Sequence, residues 1–222
     1  MQTLFKKKNM KVKICGIQNF QEAQMAIDAG ADALGFHVGL EHGKCPIGPA
    51  TTAEIIRKLP PFVTAVVVTS ENDPKRLLHL LRQTGTSVLQ LYGASNDVID
   101  SVKGLCTYVK VIVPVTADED AFEKVKALEG VADAILLDSP KGIDGAEGGT
   151  GKTHDWSTSA QIVKESKVPI ILAGGLNPEN VAKAISIVKS YGVDVRSGVS
   201  NPNGSKNISK IHAFIQATRS TE

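Results

Sequence analysis

A chain of 222 residues with 42% hydrophobic side chains and a formal net charge of +2 holds enough apolar material for one large globular domain or two small ones. The near-balanced charge demands neither nucleic acid nor an anionic membrane as partner, and no apolar run approaches the ~20 residues that span a bilayer. Three cysteines, Cys15, Cys45 and Cys106, are too scattered for a disulfide framework and lack zinc-ligand spacing. With a start that has no long apolar core behind its lysines, they point to a soluble, cytoplasmic protein.

The lysines of FKKKNMKVK (5–13) read as a solvated run, so residues 1–10 form an N-terminal extension and residues 11–222 the folded domain. VKICGI is the first strand, followed by the helical NFQEAQMAIDAG with Asn19 as N-cap and Gly30 as stop. ADALGFHV is the second strand; a Gly/Pro-rich loop and a helix near 51–58 follow it. PFVTAVVVT is the third, paired with the helix DPKRLLHLLRQTG, where Pro74 stands in the first turn. SVLQLYG, TYVKVIVPV and ADAILLDS are strands four to six, with helical segments near 95–103 and in DEDAFEKVKAL between them. VPIILAGG and its helix NPENVAKAISIVKS, then GVDVRSG and the closing NISKIHAFIQAT, complete the chain. The Val/Ile/Leu runs are those of strands buried on both faces. Eight strand-then-helix units favour a single-domain (β/α)8 TIM barrel over an open doubly wound sheet, although periodicity alone leaves closure undecided.

In such a barrel the C-terminal strand ends share one mouth. Cys15 ends strand one and Asp138, in LLDS, ends strand six, so closure would aim both at one ligand. A free cysteine is otherwise a small buried hydrophobe, and a strand-end aspartate a cap. The turns LAGGLNP (172–178) and VRSGVSN (195–201) follow strands seven and eight, where barrels often hold phosphate on backbone N–H groups. Their candidate residues are Gly174, Gly175, Ser197 and Gly198. GAEGGTGKTHDW (145–156), with Gly149, lacks a complete P-loop pattern and suits a mobile lid.

Taken together, KICGI, GADALGF, LPPFV, LLDS, GGTGKTHDW, LAGGLNPENV and GVDVRSGV resemble, in order and over nearly the whole chain from Lys11, the phosphoribosylanthranilate isomerase family. The resemblance implies a (β/α)8 enzyme of tryptophan synthesis. Its reaction is an Amadori rearrangement of an aminoaldose phosphate to an aminoketose phosphate, without metal or redox cofactor. It also implies Asp138 as general acid, Cys15 as general base and Asp194 as a substrate contact. The implied partner is a small phosphorylated sugar, with no nucleic acid or membrane; monomer and homodimer both stay open.

Three departures from the family pattern fall on one side of the expected site. The loop GLEHGKCPIGPATT (39–52) has no arginine where the family carries Ser-Pro-Arg, leaving Lys44 as its cation, without the flat fork that suits a carboxylate. Tyr92 stands in place of a histidine. Arg196 stands in place of a small serine, where it could hold an anionic group, pair with Asp194 or face solvent. Lys44, Tyr92, Asp194 and Arg196 are therefore the candidate substrate contacts. A paralogue acting on another phosphosugar, or a phosphometabolite-binding protein without catalysis, are the competing readings.

Overall fold

The computed structural model describes residues 9–40, 45–139 and 155–221. Eight parallel strands close in sequence order into a barrel: β1 (Lys11–Cys15), β2 (Ala33–His37), β3 (Thr64–Thr69), β4 (Val88–Leu91), β5 (Lys110–Thr116), β6 (Ala134–Asp138), β7 (Ile170–Leu172) and β8 (Gly192–Val195). Closure is made by β8 against β1, with Lys13 opposite Asp194. The open doubly wound sheet is thereby excluded.

Alternation along each strand explains the continuous apolar runs. In β3, Val67 joins the shell of core between strands and helices, while Val66 and Val68 turn into the barrel lumen with Ile112, Leu136 and Ile171. Both faces are buried, so a polar side chain in the middle of a strand costs free energy unless it finds a partner.

The outer helices are α1 (Phe20–Asp28), α2 (Pro49–Ile56), α3 (Pro74–Thr84), α4 (Asn96–Leu105), α5 (Ala121–Leu128), α6 (Trp156–Glu165), α7 (Val181–Val188) and α8 (Ile208–Arg219). Asn19 caps α1 as its position suggests, accepting from Glu22 N at 2.9 Å. Asp73 caps α3 ahead of Pro74, and Gly85 ends that helix in the left-handed region at φ 75°. The eight units expected from the sequence include one after strand six whose helical segment the pattern does not locate. The structure places α6 there, started by Asp155, whose carboxylate accepts from Ser157 N at 2.9 Å. Among the described residues only two apolar residues of α6 besides Trp156, Ile162 and Val163, pack on the core, which is a weak helical period beside a glycine-rich stretch of sequence.

At the N-terminal end of the barrel Asp32 gathers Lys11 at 2.7 Å and Arg219 at 3.1 Å. That tie fastens α8 and β1 to the turn before β2, away from the mouth. Among the described residues no helix is long and apolar enough to cross a membrane.

Candidate active site

Lys13 and Cys15 are two apart on β1, so both point into the lumen. The β1–β8 register sets Lys13 beside Asp194, and Lys13 Nζ lies 2.8 Å from Asp194 Oδ1 with both residues buried. Cys15 sits nearer the mouth, its Sγ 3.2 Å from His37 Nε2 at the end of β2. Gly35, also on β2, makes the room: a Cβ there would fall 2.6 Å from the Cys15 sulfur and 3.0 Å from Lys13 Nζ. Any larger residue would push the thiol out of place.

The thiol and the carboxyl in this mouth are shifted toward each other. Burial alone would raise the Cys15 thiol, and the Asp194 charge adds to that. The Lys13 ammonium and the charge and hydrogen bond of His37 outweigh them, bringing the thiol down to about 7. Lys13, despite its burial, is held above its ordinary value by Asp194 and the Cys15 thiolate. Asp138, ending β6, moves the other way. Burial and the neighbouring Asp194 charge lift it to about 6, against the Ser139 N–H at 2.8 Å and the more distant Arg196 and Lys13. Tyr92, just past β4, is pushed up by burial and by the charges of Asp138, Cys15 and Asp194, so it stays a neutral phenol.

The two glycine turns follow β7 and β8, between β6 with Asp138 and β1 with Cys15, and across the ring from β4 with Tyr92. Gly174 and Gly175 have φ of 80° and 64°, a conformation open to glycine, and a Cβ on Gly174 would strike Ser139 at the end of β6. A Cβ on Gly198 would strike the Leu176 carbonyl, so the turn after β8 is pressed against the turn after β7. Gly174, Gly175 and Ser197 face the same cleft as Cys15, Asp138, Tyr92 and Asp194. Behind it Lys206, buried, donates to the Arg196 carbonyl at 3.2 Å and the Ser200 hydroxyl at 3.0 Å, pinning the turn to the segment that leads into α8.

The two residues expected at strand ends thus meet in one cleft, together with Tyr92, Asp194, Arg196 and the glycine turns. Asp194 pairs with Lys13 rather than with Arg196. Arg196 lines the cleft beside Ser197. Lys44, Gly149 and the suggested lid lie outside the described residues. Sequence reasoning missed Lys13, His37, Gln90 and Lys206. Period two from Cys15 reaches Lys13, and from Gly35 reaches His37, so alternation could have found those two.

A closed barrel with a lowered thiol and a raised carboxyl in one cleft, flanked by glycine turns, defines an enzyme suited to proton transfer on a small anionic molecule. Comparison with known proteins agrees. The family described as N-(5'-phosphoribosyl)anthranilate (PRA) isomerase matches residues 12–217. Curated relatives include N-(5'-phosphoribosyl)anthranilate isomerase 2 of Methanosarcina mazei, 37% identical over 95% of this chain and 94% of that protein. The isomerase of Methanothrix thermoacetophila is 38% identical over 96% and 99%. Among solved structures, phosphoribosyl anthranilate isomerase from Thermotoga maritima superimposes with a TM-score of 0.85 at 32% identity, covering 95% of this chain and 99% of that one. Another isomerase, in complex with reduced 1-(o-carboxyphenylamino)-1-deoxyribulose 5-phosphate, gives 0.82 at 30% identity over 95% and 99%. The chain belongs to the phosphoribosylanthranilate isomerase family.

Proposed function

We infer that this protein converts N-(5'-phosphoribosyl)anthranilate to the corresponding aminoketose phosphate in tryptophan synthesis, with Asp138 as acid and Cys15 as base. The observation that carries the reading is the pair of opposite shifts, a carboxyl held near 6 and a thiol near 7, in one cleft. Neutral Asp138 gives its proton to the furanose oxygen as the C1–O bond breaks. The nitrogen lone pair closes a C1=N bond and the nitrogen becomes positive. The Cys15 thiolate then removes the C2 proton; that bonding pair forms C1=C2, and the C=N pair returns to nitrogen. The resulting enolamine gains a proton at C1 and loses one from the C2 hydroxyl to give the ketone. Each proton transfer of this kind is worth about 10²–10⁴ in rate.

The sugar phosphate belongs on Gly174, Gly175, Ser197 and Gly198, the turns that the fold presses together. Tyr92, a neutral phenol on the far wall, offers a face for the aromatic ring. The anthranilate carboxylate needs a cation, and Arg196, whose guanidinium can bind it through two parallel hydrogen bonds, is assigned to it. Action in the cytoplasm, as a monomer or homodimer, belongs to the same proposal.

The test is direct turnover of phosphoribosylanthranilate, with rescue of a tryptophan auxotroph lacking the isomerase. Cys15→Ala and Asp138→Asn should each lower turnover by about 10²-fold or more and weaken binding of the reduced product analogue far less. Full activity in both variants would overturn the roles. The alternative of a paralogue with another phosphosugar is favoured by the sequence 39–52, which carries no arginine, and by Tyr92 in place of the family's histidine. It predicts no turnover of phosphoribosylanthranilate but Cys15- and Asp138-dependent turnover of a different aminosugar phosphate.

A further inference from the structure

Gln90 lies in the middle of β4, between Val68 of β3 and Ile112 of β5, in a barrel whose other central lumen positions are mostly apolar. It is 1% exposed, and it lines the same cleft as Cys15 and Asp138. Its Nε2 has one long contact, to the Tyr92 hydroxyl at 3.5 Å. Its Oε1 is buried and, among the described residues, has no hydrogen-bond partner. A buried amide oxygen left unpaired costs about 1–3 kcal/mol, and a methionine or leucine would fill the same space without that cost. The site therefore keeps an acceptor at a loss in the free protein, which is the behaviour of a group paired by a ligand.

The position in the ring of strands indicates which part of the ligand it meets. β4 stands four strands from β8, across the barrel from the turns assigned to phosphate. A substrate held there by its C5 phosphate reaches β4 with its C1 end. The donor at that end is the anilinic N–H.

We propose that Gln90 Oε1 accepts a hydrogen bond from the nitrogen attached to C1 of the substrate, and so fixes the amine end of the sugar over Cys15 and Asp138. The proposal rests on the isomerase reading above. It also adds to that chemistry. When the ring opens, the nitrogen lone pair moves into the C1=N bond and the N–H becomes cationic. Hydrogen bonds to ionised partners are about twice as strong as neutral ones, so the bond tightens as the reaction proceeds and favours the transition state over bound substrate.

Gln90→Met removes the acceptor at nearly constant volume. The melting temperature of the ligand-free variant should equal or exceed that of the parent, because an unpaired polar atom has been removed. Binding of reduced 1-(o-carboxyphenylamino)-1-deoxyribulose 5-phosphate, which carries the amine, should weaken about 10-fold. Binding of ribulose 5-phosphate, which has no amine, should stay within about twofold. The turnover number should fall by about a further 10-fold. Gln90→Asn, which retracts the carbonyl by one carbon, should show the same split between the two ligands. Equal weakening toward both ligands, no weakening toward either, or a lowered melting temperature with unchanged kinetics would overturn the proposal. Failure of the unmodified protein to turn over phosphoribosylanthranilate would instead sink the parent reading, so the two failures are distinguishable.

Discussion

At the scale of single residues, the two titrating groups set an unusual pH dependence. The reaction needs Cys15 ionised and Asp138 protonated, yet the thiol titrates near 7 and the carboxyl near 6. The wrong ionisation state therefore dominates, and only a few per cent of the free protein is competent at any pH. The expected kcat/KM profile is a bell with limbs near pH 6 and 7 and a maximum between them. Lys13 is the group that holds the thiol down, so Lys13→Met should move the thiol titration upward, read from thiolate absorbance, and widen the bell on its alkaline side. An unmoved thiol would remove Lys13 from the account. Arg196→Ser should raise KM for phosphoribosylanthranilate by about 10-fold or more, the scale of a lost charge-assisted pair, and Arg196→Lys should recover part of it. Cys15 and Asp138 were legible because each ends an apolar run, where a polar residue has a reason to be. Lys13 was not, because a lysine at the start of a strand reads as solvated; only barrel closure, which sets it against Asp194, shows that it is buried. Gln90 was hidden for the opposite reason: a lone amide inside LQL carries no periodic signal.

Among the elements, the glycines divide by what surrounds them. Gly104 lies in the last turn of α4, where a Cβ would meet no packed neighbour within 4 Å among the described residues outside its own helix turn, and its backbone is an ordinary helical one. Gly104→Ala should stabilise the protein by about 0.5–1 kcal/mol through helix propensity and a less flexible unfolded chain. Gly198→Ala should do the opposite, because its Cβ would strike the Leu176 carbonyl and separate the two turns assigned to phosphate. Its phosphate-ligand affinity should fall well before its secondary content changes, a pair of observables that calorimetric binding and circular dichroism separate. The same contrast explains what the chain revealed of its elements. Strands were readable because burial on both faces leaves a continuous apolar run, and most helices because caps such as Asn19 and Asp73 precede a clear period. α6 escaped because its start is masked by a glycine-rich stretch and its apolar stripe is thin.

For the whole molecule, the two ends of the barrel respond to pH with opposite sign. At the base, Asp32 is held below the usual carboxylate range. Burial opposes this, but the Lys11 ammonium, the Val12 N–H and Arg219 outweigh it. A carboxyl depressed by folding contributes stability above its unfolded value and loses it as pH falls through the folded one. Asp138 in the mouth is raised instead, from 3.8 to about 6. Between those two values the folded protein holds a proton that the unfolded chain has released, so stability declines as pH rises through that window and stays lower above it. Each pKa unit corresponds to about 1.4 kcal/mol; after allowance for solvent at the half-buried carboxyl, the loss is about 2 kcal/mol. Asp138→Asn cannot ionise and still offers an oxygen to the Ser139 N–H. It should melt roughly 4–8 °C above the parent at pH 8, on the usual scale for a domain of this size, and at nearly the same temperature at pH 4. Equal melting temperatures at both pH values would mean that the raised carboxyl is not a folding cost. A higher melting temperature at pH 8, with turnover lost, would show that the acid is kept at the expense of the fold, as the unpaired oxygen of Gln90 also is.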